Sequence, residues 1–184
     1  MKLPEYFSEY TRLLAQPEMG VRLERLAKTF VDANNQRKKL LLAGNGASAS
    51  ISSHLAMDLS KQAGVRAVAF NDTNLITALG NDYGYEMWIA KAVELYADKD
   101  DILILISSSG KSPNVLAAAK RAKEIGLTVI AFTGFEESNP LGDLADENFW
   151  VDSRAYNIIE CVHMIWLTAV CDLIIGKSEY SVGA

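Results

Sequence analysis

The 184-residue chain has only two cysteines and two histidines, and its 23 acidic side chains outnumber its 18 basic ones, for a formal charge of -5. Each scarcity excludes something. Without a net basic surface, direct nucleic-acid binding and adhesion to an anionic membrane lose their usual electrostatic drive. Cys161 and Cys171 lie in one apolar helical stretch. A straight helix separates them by about 15 Å, too far for a disulfide, so both are expected as core thiols of a cytoplasmic, reducing compartment. The N-terminus Met1-Lys-Leu-Pro-Glu-Tyr6 has no apolar run, so no secretory signal is expected. Repeats and low-complexity tracts are missing too. The longest apolar stretch, Ile158 to Ile175, contains Glu160, His163 and Asp172, which argues for a helix buried between subunits over a membrane span.

What is present is an alternation. Residues 1–35 carry two amphipathic helical patterns, about Leu3 to Gln16 and Val21 to Asn34, expected to pack over a sheet or against another subunit. From residue 38 to 175 strands alternate with helices: Leu40 to Ala43, Val65 to Phe70, Ile102 to Ile106, Leu127 to Phe132 and Phe149 to Val151 read as strands. Ile76 to Leu79 reads as a short helix ahead of Gly80-Asn81-Asp82, Asp98 to Asp101 as a solvated turn, and 176–184 as a loose tail. Short connections between successive strands and helices predict one α/β domain, a parallel sheet covered on both faces. A 2-1-3-4-5 strand order would set the loops after the first and third strands side by side.

The chain is organised around Asp101-Ile-Leu-Ile-Leu-Ile-Ser-Ser-Ser-Gly-Lys-Ser-Pro-Asn-Val115. A doubly buried strand runs into a small-residue loop and then a helix start, where unpaired backbone N–H groups and the helix dipole favour an anion. Ser107, Ser108, Ser109 and Ser112 add hydroxyls, Gly110 permits close backbone approach, and Pro113 suits the first helical turn. The plainer alternative is a serine-rich loop ending in an N-cap. A second small-residue loop, Gly44 to Ser50, leads to a helix that carries His54 and Asp58 on one face. Glu160 and His163 share a face of the last helix, with Thr168 two turns beyond Glu160. Converging, these groups would transfer protons or bind a divalent metal; apart, they are a local hydrogen-bond network and a satisfied buried pair.

The set Gly44-Asn-Gly-Ala-Ser48, His54-Leu-Ala-Met-Asp58, Gly80-Asn-Asp-Tyr-Gly84, Ser107-Ser-Ser-Gly-Lys-Ser112 and Glu160-Cys-Val-His163 resembles the sugar isomerase (SIS) domain family. The resemblance is strongest to the phosphoheptose isomerase branch and its non-enzymatic relative that binds the initiator DnaA. It implies a Rossmann-like, five-stranded parallel sheet and a homotetramer with sites between subunits. It also implies a phosphorylated sugar as ligand: Ser107, Ser108, Ser109 and Ser112 for the phosphate, Asn45, Ser48 and Asp82 for the sugar, with Thr168 beside it. The family's enediol chemistry needs no cofactor, although some members hold zinc through His, Glu, Gln and His, which here would involve His54, Asp58 and Glu160. Asp58 replaces the family's catalytic Glu, Glu160 its Gln, and Thr168 its catalytic His. Because threonine does not titrate near neutral pH, the acid–base roles fall to Asp58 with His163 or Glu160. The alternative is a phosphosugar-binding regulatory protein without turnover.

Overall fold

Leu40–Gly44 (β1) and Ile102–Ile106 (β3) are apolar without interruption because both faces of both strands are buried. In the computed structural model, which describes residues 2–179, they pair in parallel with Leu42 opposite Ile104. Ala67–Ala69 (β2) flanks β1 on the other side, while Thr128–Thr133 (β4) and Glu147–Trp150 (β5) extend the sheet beyond β3. The order is β2-β1-β3-β4-β5, the one that sets the loops after β1 and β3 side by side. Strand order reverses between β1 and β3, so the loops leaving them open onto one crevice.

Alternate strand residues feed two cores. Leu40, Leu42, Ile102, Ile104 and Ile106 face the helices Leu3–Leu14 (α1), Pro17–Asn35 (α2), Ala47–Lys61 (α3) and Tyr156–Ile175 (α8). Leu41, Ala43, Leu103 and Leu105 face Thr73–Tyr83 (α4), Trp88–Tyr96 (α5), Pro113–Ile125 (α6) and Pro140–Leu144 (α7). The N-terminal pair packs against α8 over the sheet. Helix α8 is long and apolar enough to cross a membrane by length and composition, yet Ile159, Val162, Trp166, Leu167 and Val170 are buried within this chain. One face of the helix is thus buried within the chain itself, where burial between subunits was expected to account for its apolar character. Ile165 and Leu173 on its other face remain exposed.

Three local readings are corrected. Helix α4 is not confined to Ile76–Leu79: Asp72 caps it by accepting from the N–H groups of Asn74 (2.9 Å) and Leu75 (3.1 Å), and it runs through Asn81 and Asp82 to Gly84, whose φ of +83° ends it. Strand β2 is three residues long at the sheet edge, where the Ser60 hydroxyl bonds both the N–H and the carbonyl of Ala67. Asp101 is not part of a solvated turn. It is 1% exposed, accepts from the N–H groups of Lys39 (3.0 Å) and Asp98 (2.8 Å), and pairs with Lys39 Nζ at 2.6 Å, locking the starts of β1 and β3 together. The tail expected over 176–184 lies outside the described residues from 180 onward.

Replacing Asp101 by alanine removes the acceptor of two part-buried N–H groups and one of the two carboxylates on Lys39, whose ammonium keeps Asp98 at 2.6 Å, so it should cost about 1–3 kcal/mol in urea denaturation. Asp98→Ala, which removes an exposed carboxylate, should leave the midpoint nearly unchanged.

Candidate anion-binding site

The serine loop follows directly from β3. The Ser107 N–H donates to the Phe132 carbonyl at 3.0 Å, extending the ladder by one residue, and the Gly110 N–H then donates to the Ser107 carbonyl at 2.9 Å to close a turn. Gly110 has a φ of +62°, and a Cβ there would overlap the Asn139 side chain, so no other residue fits. Past the turn, the Leu141 N–H donates to the Gly110 carbonyl at 3.0 Å. Among the described residues, no intrachain hydrogen bond engages the amides of Ser108, Ser109 or Ser112. Ser112 occupies the N-cap of α6, but its side chain makes no capping bond and lies 3.4 Å from the Ser107 hydroxyl. Ser108 is 5% exposed and its Oγ has no partner. A buried hydroxyl without a partner is costly, and a bound oxyanion would relieve it. The plain N-cap reading leaves these features without a purpose.

The second loop approaches because Gly44 has no side chain: a Cβ there would lie 2.9 Å from the Ile106 carbonyl. Asn45 and Asn114 then exchange two amide bonds, Asn45 Nδ2 to Asn114 Oδ1 at 3.0 Å and Asn114 Nδ2 to Asn45 Oδ1 at 2.9 Å. Tyr85 donates its hydroxyl to the same Asn45 oxygen at 3.0 Å. Asn45, Ser48, Ser107, Ser108, Ser109 and Ser112 all line one small cavity of about 140 Å³, closed on the far side by Tyr156 and Glu160 from the start of α8. Burial raises the Glu160 carboxyl above its ordinary value.

Other expected site residues lie elsewhere. His163 is fully buried against Phe132 and Trp166, with Nε2–H donating to the Thr133 carbonyl at 3.0 Å. Burial lowers its pKa to about 4, outweighing that bond, so it is a neutral core residue. Its placement corrects the expectation of a catalytic imidazole in the cavity. Thr168, about 12 Å along α8 from Glu160, donates its hydroxyl to the Met164 carbonyl at 2.9 Å. Asp58 lies about 15 Å along α3 from Ser48. It pairs with His54 at 3.2 Å, and burial first, then the charges of Asp58 and Asp172, push the Cys171 thiol up to about 12. Asp58 is thus at the far end of the α3–α8 contact. Asp82 is exposed on α4 and accepts from the Asn81 amide at 2.9 Å.

His54, Asp58 and Glu160 do not come together in one chain, and among the described residues no group of three or more His, Cys, Asp or Glu is placed to hold a metal ion. These residues do not fit a zinc site as they stand. Asn114, Tyr85 and Tyr156 escaped the sequence reading. Only Tyr156 had a signal, its position one helical turn before Glu160 on the same face.

The profile of the SIS domain matches residues 5–134. The chain is 36% identical to the phosphoheptose isomerase of Burkholderia pseudomallei over 168 residues, covering 88% of this chain and 85% of that one. It is likewise 36% identical to the phosphoheptose isomerase of a Bradyrhizobium species, over 82% of this chain and 78% of the relative. Its structure is similar to those of phosphoheptose isomerases from Francisella tularensis (TM-score 0.84, 30% identity, 95% and 97% coverage) and Neisseria gonorrhoeae (TM-score 0.85, 30% identity, 94% and 97% coverage).

The unpartnered Ser108 hydroxyl gives a prediction with opposite signs. Ser108→Ala should leave the melting temperature of the free protein unchanged or raise it, and should abolish most of the further rise that inorganic phosphate produces in the wild type. Gly110→Ala should lower the melting temperature outright, by about 1–3 kcal/mol of stability.

Proposed function

The chain belongs to the SIS domain family, and on that premise we propose that it is a phosphosugar aldose–ketose isomerase of the phosphoheptose isomerase type, acting on sedoheptulose 7-phosphate or a similar phosphorylated sugar. The observation that carries this reading is the cavity in which four serines and free amides face Asn45, Ser48 and Glu160. The serine loop supplies neutral donors for a phosphate, and Asn45 and Glu160 stand where the hydroxyl-bearing body of the ligand would follow. The non-catalytic alternative is not favoured, since the relatives are named as isomerases.

The reaction takes a proton from the carbon next to a carbonyl, forms an enediol and returns a proton to the neighbouring carbon, so substrate and product have the same composition. Glu160 is the carboxylate that lines the cavity, and its raised pKa makes it a stronger base than an exposed one. Asp58 does not line this cavity within one chain, so its expected part in the chemistry calls for a second copy. We therefore propose a homo-oligomer, a tetramer as the family resemblance implies, with sites completed between subunits. In support, Phe7, Met57, Ile165 and Leu173 are exposed on α1, α3 and α8, and an apolar groove of about 540 Å³ runs between α2 and α8. A cytoplasmic setting belongs to the same proposal: both thiols are free, although only Cys171 is the buried core thiol expected, and Cys161 is exposed on α8.

In deuterium oxide, sedoheptulose 7-phosphate should acquire carbon-bound deuterium in the presence of the protein and lose this exchange in Glu160→Ala. Measurable binding with no exchange in the wild type would overturn the isomerase reading. The pH dependence has a definite sign. Burial keeps Glu160 protonated to a higher pH than an exposed carboxyl, and its ionisation places a negative charge beside the phosphate. Phosphate affinity of the wild type should fall below that of Glu160→Gln as pH rises through the Glu160 pKa, by about ten-fold at most, and the two should converge below it.

A further inference from the structure

One wall of the cavity is explained by none of the anion-binding groups. Tyr156 opens α8 with 59% of its surface exposed, yet it lines the cavity beside the serines. A ring so exposed would ordinarily sample several rotamers. Here Phe135 meets it edge-on, with centroids 4.8 Å apart and planes at 80°. Phe135 itself has a φ of +54°, a left-handed conformation that bulky residues avoid. Its backbone is held there from both sides: its N–H donates to the Ser153 carbonyl at 2.9 Å, and the Gly134 N–H donates to the Ser108 carbonyl at 2.9 Å. Gly134 is pressed against α8, where a Cβ would lie 2.6 Å from Ile159. An ion pair of 2.6 Å between Glu136 and Arg154 fastens the same two segments at the surface. The turn after β4 therefore links the serine loop on one side to the entry of α8 on the other.

Resting on the phosphosugar reading, we infer that Tyr156 contacts the carbon chain of the bound sugar beyond its phosphate, and that Phe135 is a positioning residue that holds the Tyr156 ring at the cavity wall. The ring face suits the C–H groups of a sugar and its hydroxyl suits the sugar hydroxyls. The phosphate, gripped by serine hydroxyls and amides, needs neither aromatic. This division makes Tyr156 a specificity residue for the ligand's body and not for its charge.

The test is calorimetric titration of the full-length protein with inorganic phosphate and with sedoheptulose 7-phosphate. Tyr156→Ala should weaken the sugar phosphate by roughly three- to ten-fold and leave inorganic phosphate unchanged. Phe135→Leu should weaken the sugar phosphate by a smaller factor, and the double variant should be no weaker than Tyr156→Ala alone, because Phe135 acts through Tyr156. Phe135→Met replaces Phe135→Leu if the latter lowers the melting temperature. Additive losses, or equal losses for both ligands, would overturn the inference, as would a Tyr156→Ala variant with undiminished sugar phosphate affinity. The readout is affinity alone, so the expected ratios support the inference even in a protein that fails to isomerise the sugar.

Discussion

The paired amides of Asn45 and Asn114 join the loop after β1 to the helix after β3, and the rest of the site takes its shape from that junction. Each asparagine gives one donor and one acceptor to the other, and Asn114, 2% exposed, has no water to turn to. Burial of an amide is tolerable when its bonds are made and costly when they are not, so the pair pins the two loops at a fixed separation. The requirement reaches back into the strands. Gly44 must lack a side chain for the loops to approach, and β1 and β3 must be neighbours in register for the approach to happen at all.

The electrostatic character of the site follows from the same economy of charge. A chain with a formal charge of -5 does not draw a phosphate by its overall field. The cavity compensates locally, with hydroxyls, free amides and a helix start that cost little to desolvate compared with a lysine or arginine. Glu160 is the exception, a carboxylate at the edge of an anion site. Its burial-raised pKa moderates the repulsion and gives the cavity a group able to exchange protons.

The parallel pairing of the strands and both cavity loops were legible in the sequence because they depend on local rules: uninterrupted apolar runs for buried strands, small residues where a chain turns onto a helix, and connection length for parallel pairing; the strand order came with the family resemblance. What was not legible depends on direction in space. Helical spacing puts Glu160 and His163 three residues apart on one broad face, but only the packing of α8 decides that the first reaches the cavity and the second points into Phe132 and Trp166. The same spacing gives no hint that Asp58 and Thr168 lie down the helices, away from the serines. Asp101 was misread because it resembles the three exposed residues before it, and nothing in Asp-Lys-Asp-Asp distinguishes the carboxylate that two backbone amides will claim.

The Asn45–Asn114 pair spans 69 residues of chain, with α3, β2, α4, α5 and β3 between its members. No partly folded fragment can contain it unless the right-handed crossover has already returned β3 to the side of β1. Long-range closure of that kind comes late and slowly in folding. The anion site therefore has no embryonic form: it is assembled with the topology and lost with it. A ligand held there acts on the equilibrium of the whole chain and not on a local loop, so an abundant ligand would contribute to the protein's persistence in a cell as well as to its chemistry.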